Sequence, residues 1–249
     1  MMNMKIRKYW DDINTKSMYD KNLLEIETQA ITEHLNKNDD IIDVGCGEGE
    51  ATIKYRKKVN SLLAVDCSAT RLALLKRKNN SIDTLLLDMR KISRKTLRRR
   101  YDAAITQRSL INLDSFIEQK LAIRNIHSIL KNNGKYIMLE GFIDGTKALN
   151  AIRKDFKLPE IPIKWHNCFL HKERTLEYMD KYFTLEYSRD FSLYFFLTRA
   201  LNAIFQYPRI PKWNSRLNCI AKEMELKYNN QFIKGVSRLE LMVFKKRSH

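Results

Sequence analysis

IIDVGCGEGE, residues 41–50, is the stretch that decides how this chain of 249 residues is read. IIDVG (41–45) is a short apolar run of the kind a strand buried in a parallel sheet shows. It leads directly into Gly45, Gly47 and Gly49 and then into EATIKYRKKV, which suits a helix. A glycine turn between a strand and a helix lets the backbone approach a ligand closely, because no Cβ intervenes. The dinucleotide pattern G-x-G-x-x-G would need its third glycine at position 50, where Glu50 stands. The spacing here is G-x-G-x-G behind an acid, Asp43.

Outward from that turn, strand and helix signals alternate. Upstream, Leu23, Leu24, Ile26, Ala30, Ile31 and Leu35 form an apolar stripe at helical spacing, broken by NKNDD (36–40). Downstream, LLAVD (62–66) is a second buried strand, and Ser68 is placed to cap a helix through ATRLALLKRK. TLLLD (84–88) is a third strand and YDAAITQ (101–107) a fourth. Asp114 is placed to cap a helix through SFIEQKLAIRNIHSIL. That helix is expected to stop at Gly134, in a left-handed conformation, before a fifth strand, KYIMLEG (135–141). Five alternations predict an α/β three-layer sandwich, a mostly parallel sheet with helices on both faces. Beyond residue 141 the pattern changes. A mixed loop and helix segment precedes a strand at 182–191 and a closing strand at 237–246, with an aromatic-rich helical insertion between those two.

The acids are in phase with the turn. Asp66 closes the second strand, where its two oxygens could accept hydrogen bonds from ribose hydroxyls. Asp88 closes the third strand, placed to meet an adenine amino group, with the Met89 side chain able to lie on the base. One strand–helix unit separates each acid from the next, so all reach the carboxyl edge of the sheet, where open α/β sheets bind ligands.

The run IIDVGCGEGE…LLAVDCSATRLALLKRK…TLLLDM…YDAAITQRSLINL…ILKNNGKYIMLEG resembles the class I S-adenosylmethionine (SAM) dependent methyltransferases over residues 41 to 141. The resemblance implies SAM as cofactor and S-adenosylhomocysteine as product. It places Gly45, Gly47 and Gly49 along the methionine and ribose portion and Asp43 near the amino group. It gives Asp66 to the ribose, Asp88 and Met89 to the adenine, and Gln107 to the methionyl part and the reacting methyl. It implies seven strands with the last antiparallel, and an N-terminal lead-in that closes over the cofactor through Trp10 and Tyr19. A narrower likeness, carried by QRSLINL, LPEIPIKWHN and TRALNAIF, is to bacterial methyltransferases of sugar and surface-polysaccharide pathways. The expected organisation is one domain over 1–249. It comprises a helical lead-in (1–40), a SAM-binding core (41–141), substrate-side cap segments (142–181 and 191–235) and a closing strand (236–246).

Composition bounds the rest. With 44% hydrophobic and 30% charged residues the chain is an ordinary globular one, and no stretch approaches the roughly 20 apolar residues of a bilayer span. A cytoplasmic enzyme is expected. The four cysteines show no metal-ligand spacing, so reduced thiols and no metal are expected. The net charge of +17 would attract anions, although SAM is itself a weak cation. Methyl transfer to a hydroxyl benefits from a base, and the candidates are His166, between Trp165 and Asn167, and Glu140 at the end of the fifth strand. Three functions stay open: methylation of an oxygen or nitrogen on a small polar acceptor such as a sugar or nucleotide sugar, RNA methylation using the basic run RKISRKTLRRR (90–100), and a non-catalytic scaffold. The fourth strand ends in TQRS, not in an NPPY-like motif, which disfavours DNA base methylation. Acceptor and oligomeric state are not legible.

Overall fold

The computed structural model describes residues 4–15, 18–229 and 231–247; His249 lies outside them. Seven strands form one sheet: β1 (Asp40–Val44), β2 (Ser61–Asp66), β3 (Asp83–Leu86), β4 (Tyr101–Gln107), β5 (Leu130–Gly141), β6 (Phe183–Asp190) and β7 (Leu239–Lys246). Their order is β3-β2-β1-β4-β5-β7-β6, with β7 antiparallel to both neighbours. The helices are α1 (Met4–Asp11), α2 (Lys21–Thr32), α3 (Thr52–Arg56), α4 (Ala69–Lys78), α5 (Arg94–Leu97), α6 (Phe116–Ile129), α7 (Ile143–Asp155), α8 (Lys172–Met179), α9 (Ser192–Phe195), α10 (Asn202–Gln206) and α11 (Arg216–Tyr228). A π-helical turn, Phe196–Leu201, joins α9 to α10.

The apolar runs become strands buried on both faces because successive side chains feed two separate cores. Ile41, Ile105, Ile137, Leu139, Leu241 and Val243 enter one core, together with Ile26 and Ile31 of α2 and Leu75 of α4. Ile42, Val44, Ala104, Tyr136, Met138 and Met242 enter the other, with Ile123 and Ile126 of α6. The aromatic insertion belongs to the first core: Phe191, Tyr194 and Phe195 are buried in it. Strand order reverses between β1 and β4, and their carboxyl ends open the crevice in which such sheets bind ligands.

Ser68 caps α4 as expected, its hydroxyl accepting from the Arg71 amide. Three local expectations are corrected. Ser115, not Asp114, caps α6, its hydroxyl accepting from the Glu118 amide. The helix stops without a left-handed residue, at Leu130 in extended backbone, and the left-handed residue nearby is Asn133, at φ 60°, within β5. Gly134 instead fills a place where a Cβ would lie 2.9 Å from the Lys131 carbonyl oxygen. The third strand ends at Leu86, because Asp88 turns back to cap a 3₁₀ turn, Met89–Lys91. No helix of the described residues is long and apolar enough to cross a membrane.

Candidate functional site

The glycine turn is folded back onto the end of β2. The Gly45 amide donates to the Val65 carbonyl at 2.7 Å, and the Gly47 amide donates to Asp66 Oδ2 at 2.8 Å. The other oxygen of Asp66 accepts from the Ser68 amide at 2.8 Å. Gly45, Gly47 and Gly49 all have positive φ, at 79°, 55° and 77°. Their surroundings differ. A Cβ on Gly45 would lie 2.3 Å from Ser109 Cβ, whereas one on Gly47 would meet nothing within 4 Å. Ser109 cannot retreat freely, because its hydroxyl donates to the Val44 carbonyl at 2.8 Å. Gly45→Ala should therefore lower stability by about 3–5 kcal/mol, strain and overlap combined. Gly47→Ala should cost only the strain, about 1–2 kcal/mol. Urea midpoints of the two variants test the order, and equal midpoints would contradict it.

Asp43 lies under this turn, buried, with Oδ2 accepting from the Thr52 hydroxyl at 2.6 Å. Burial pushes its carboxyl up to about 7; the Thr52 bond opposes this and the Asp66 charge adds to it. The unfolded chain ionises Asp43 near the ordinary value of about 3.9, so the native state holds an extra proton between about pH 4 and pH 7. Stability from this group is present at low pH and lost as pH rises through that window. Unfolding of the ligand-free protein by urea at pH 5 and pH 8 should show a fall in stability that Asp43→Asn reduces by about 2–3 kcal/mol. An unchanged pH slope in the variant would exclude Asp43 as its source.

A cavity of about 530 Å³ opens above these groups, within the range of small-ligand sites. Asp43, the three glycines, Asp66, Asp88, Met89 and Gln107 all line it, and so do Tyr19 and His166. Asp88 is held by its neighbour: the Arg90 Nε donates to its Oδ1 at 3.0 Å. Burial raises the Asp88 carboxyl, but these Arg90 bonds and charge outweigh it and the net shift is downward. Both ends of the Gln107 amide are engaged, Oε1 by the Tyr55 hydroxyl at 2.7 Å and Nε2 by Glu27. Tyr19 is well exposed at the lip, with the Lys164 ammonium 5.4 Å from its ring centre.

His166 is buried against the lead-in, stacked on Tyr9 with ring centres 4.3 Å apart and edge-on to Trp10. Its Nδ1 has no hydrogen-bond partner among the described residues. Burial and then the Lys164 charge push its pKa down, which keeps the ring neutral near pH 7. Glu140 is a correction: it does not line the cavity. Its carboxylate is fully buried and accepts from the backbone amides of Ser109, Leu110 and Ile111 at 3.1, 3.0 and 3.3 Å. It holds the loop after β4 in place, and its oxygens do not face an acceptor. The remaining histidines pack elsewhere: His34 against Tyr187, His127 against Tyr182 and Phe183, and His171 leads into α8.

Several lining residues were not read from the sequence. Arg71 of α4 is buried, and its guanidinium donates to the carbonyls of Trp10, Asp12 and Thr15 at 2.8, 2.9 and 2.6 Å. Arg108, Arg199 and Arg238 also line the cavity. The basic run 90–100 contributes none of the lining.

Residues 41–134 match a family model described as a methyltransferase domain. Carboxy-S-adenosyl-L-methionine synthase of Nautilia profundicola is 27% identical over 157 residues, 60% of this chain. The chain spans about 65% of that relative's length. Among solved structures, the N-methyltransferase NodS of Bradyrhizobium japonicum in complex with S-adenosylhomocysteine is 10% identical, with a TM-score of 0.58 over 98% of each chain. Geranyl diphosphate C-methyltransferase of Streptomyces coelicolor is 13% identical, with a TM-score of 0.60 over 98% of this chain and 97% of its own. Residues 41–134 are thus similar to a methyltransferase domain, and the chain shares its fold with these solved methyltransferases.

Proposed function

We propose that this chain is an enzyme that moves a methyl group from SAM to an oxygen or nitrogen of a small polar acceptor, with sugars and nucleotide sugars the first class to test. One observation carries the reading: a single cavity is lined at one end by the glycine turn with Asp43, Asp66 and Asp88, and elsewhere by the neutral histidine His166. The acids and the close-approach turn fit the amino group, ribose and adenine of SAM. Bound there, SAM supplies an electrophilic methyl whose departing thioether needs no acid.

The chain's own contribution is then positioning and dryness. The turn and Asp66 fix the ribose end, and Gln107, locked by Tyr55 and Glu27, lines the cavity at the end of β4. Neutral His166, whose ring lines the cavity, takes the proton of an acceptor hydroxyl. The lead-in rings Tyr9 and Trp10, packed against His166, exclude water. That residues 90–100 stay out of the lining supports a small acceptor over RNA.

Calorimetric titration with SAM, S-adenosylhomocysteine and NAD tests the cofactor. Micromolar binding of the two adenosyl ligands and none of NAD is expected; a folded protein that binds neither adenosyl ligand would refute the reading and favour a scaffold. Acceptor trials with nucleotide sugars before RNA follow, with mass analysis of both products. That analysis separates methylation of an acceptor from modification of SAM itself, the reaction that the name of the Nautilia profundicola relative describes. With a hydroxyl acceptor, His166→Gln should lower kcat about 10²–10⁴-fold and leave S-adenosylhomocysteine affinity intact. An undiminished kcat would remove His166 as the base.

A further inference from the structure

Charge is divided unevenly along the cavity wall once Arg71 and Arg108, which line it within reach of Glu48 and Glu27 respectively, are accounted for. Five of its six carboxylates, Asp43, Glu48, Glu50, Asp66 and Asp88, come from the glycine turn and the ends of β1 to β3. The sixth, Asp20, is engaged by Arg199, by the Tyr194 hydroxyl at 2.8 Å and by the Leu23 amide at 3.0 Å. The other wall, built from the π-helical turn and the approach to β7, presents Arg199 and Arg238, with Lys164 exposed beside them.

Arg238 is the unusual member. No carboxylate stands within ion-pairing distance of it among the described residues, and its donors meet only neutral oxygens. The Pro162 carbonyl lies at 3.1 Å and the Thr146 hydroxyl at 3.4 Å, and the Phe169 ring covers it at 5.3 Å. Arg153 stands behind, bonded to the Arg199 carbonyl. Burial and then the charge of Arg199 push the Arg238 guanidinium down to about 10 and that of Arg153 down as well. Two guanidiniums thus line this wall with one carboxylate between them, and a third stands behind it. A half-buried cation without a counter-charge is costly to hold, and an anion entering the cavity would relieve the cost. Guanidinium groups bind carboxylate and phosphate oxygens in paired hydrogen bonds.

We propose that the acceptor carries an anionic group, a carboxylate or a phosphate, and that Arg238 with Arg199 binds it. This rests on the methyltransferase reading of the cavity, and it narrows the acceptor class to anions such as sugar acids, phosphorylated sugars and nucleotide sugars. The group would anchor the acceptor away from the reacting atom and set its approach to His166.

The test uses the full chain saturated with S-adenosylhomocysteine and titrated calorimetrically with inorganic phosphate, malonate or uridine diphosphate, with glucose as the uncharged control. At least one anion should bind saturably. Arg238→Gln should weaken that binding by about tenfold or more, about 1.4 kcal/mol; Arg238→Lys should retain part of it. Lys95→Gln, on the basic run away from the cavity, should leave it unchanged. S-adenosylhomocysteine affinity within twofold of wild type shows that each variant is folded. Phosphate against malonate identifies the kind of anion. No saturable binding of any of the three, or binding indifferent to Arg238→Gln, overturns the proposal. Anion binding that depends on Arg238 in a protein that fails to bind S-adenosylhomocysteine would instead overturn the cofactor reading and leave the anion site standing.

Discussion

Asp66→Ala is expected to lower the affinity for S-adenosylhomocysteine by more than about tenfold, with NAD failing to bind either protein. The lone pairs of the carboxylate set this expectation. Each oxygen offers two acceptor positions, and the Gly47 and Ser68 amides use one on each oxygen. The Cys67 amide also bonds the carboxylate, so at least one of its four positions is left for a ribose hydroxyl. A hydrogen bond to a charged acceptor contributes about 1.5–3 kcal/mol, so losing one corresponds to about a tenfold loss or more. The same substitution strips the Gly47, Cys67 and Ser68 amides of their partner, and the ligand-free protein should lose about 1–3 kcal/mol of stability. Asp66→Asn separates the two effects poorly, because its amide nitrogen would face one of those backbone N–H groups. Alanine is the cleaner probe. A folded Asp66→Ala protein that binds S-adenosylhomocysteine as tightly as wild type would mean that the ribose lies elsewhere, and the adenosyl orientation would have to be abandoned.

The half of the cavity proposed to hold the cofactor was legible because it is built from short-range order. Asp43, the three glycines, Asp66 and Asp88 sit at strand ends or in the turn that follows one, and strand ends can be read from apolar runs. The half proposed to hold the acceptor is built by long-range packing. Arg199 reaches the cavity from a helical turn near the end of the chain, and Arg238 from the residue before β7. Nothing within a dozen residues of either marks a ligand. Glu140 misled for the converse reason: it stands at a strand end, as the true lining acids do, but on the side occupied by the loop it holds. The departures at Asp114 and Gly134 are local. In the first, the adjacent Ser115 met the same capping requirement; in the second, α6 ended in extended backbone at Leu130 and needed no left-handed stop. Arg71 left a faint trace, since it precedes Leu75 by four residues and so shares the buried face of α4.

Arg71→Leu tests whether the lead-in is held as a clasp or is part of the folding core. Three backbone carbonyls from Trp10 to Thr15 converge on one buried guanidinium, and the Ser68 hydroxyl donates to Asp11 at 2.6 Å beside it. Charge-assisted bonds of this kind contribute about 1.5–3 kcal/mol each. The measurable loss is smaller than their sum, because α1 can open locally while the sheet stays folded. Leucine keeps an apolar stem against the core of α4, so the urea midpoint should move little. Hydrogen exchange of the amides in α1 should accelerate by at least about a hundredfold, or about 2.7 kcal/mol of local stability. Tyr9 and Trp10 leave the cavity wall when α1 opens, so affinity for S-adenosylhomocysteine should fall with it, and bound ligand should slow the exchange again in the wild type. If exchange instead accelerates uniformly along the chain and the midpoint falls by several kcal/mol, Arg71 is a folding residue. If α1 exchanges as before, the clasp does not exist, and the exclusion of water by Tyr9 and Trp10 fails with it.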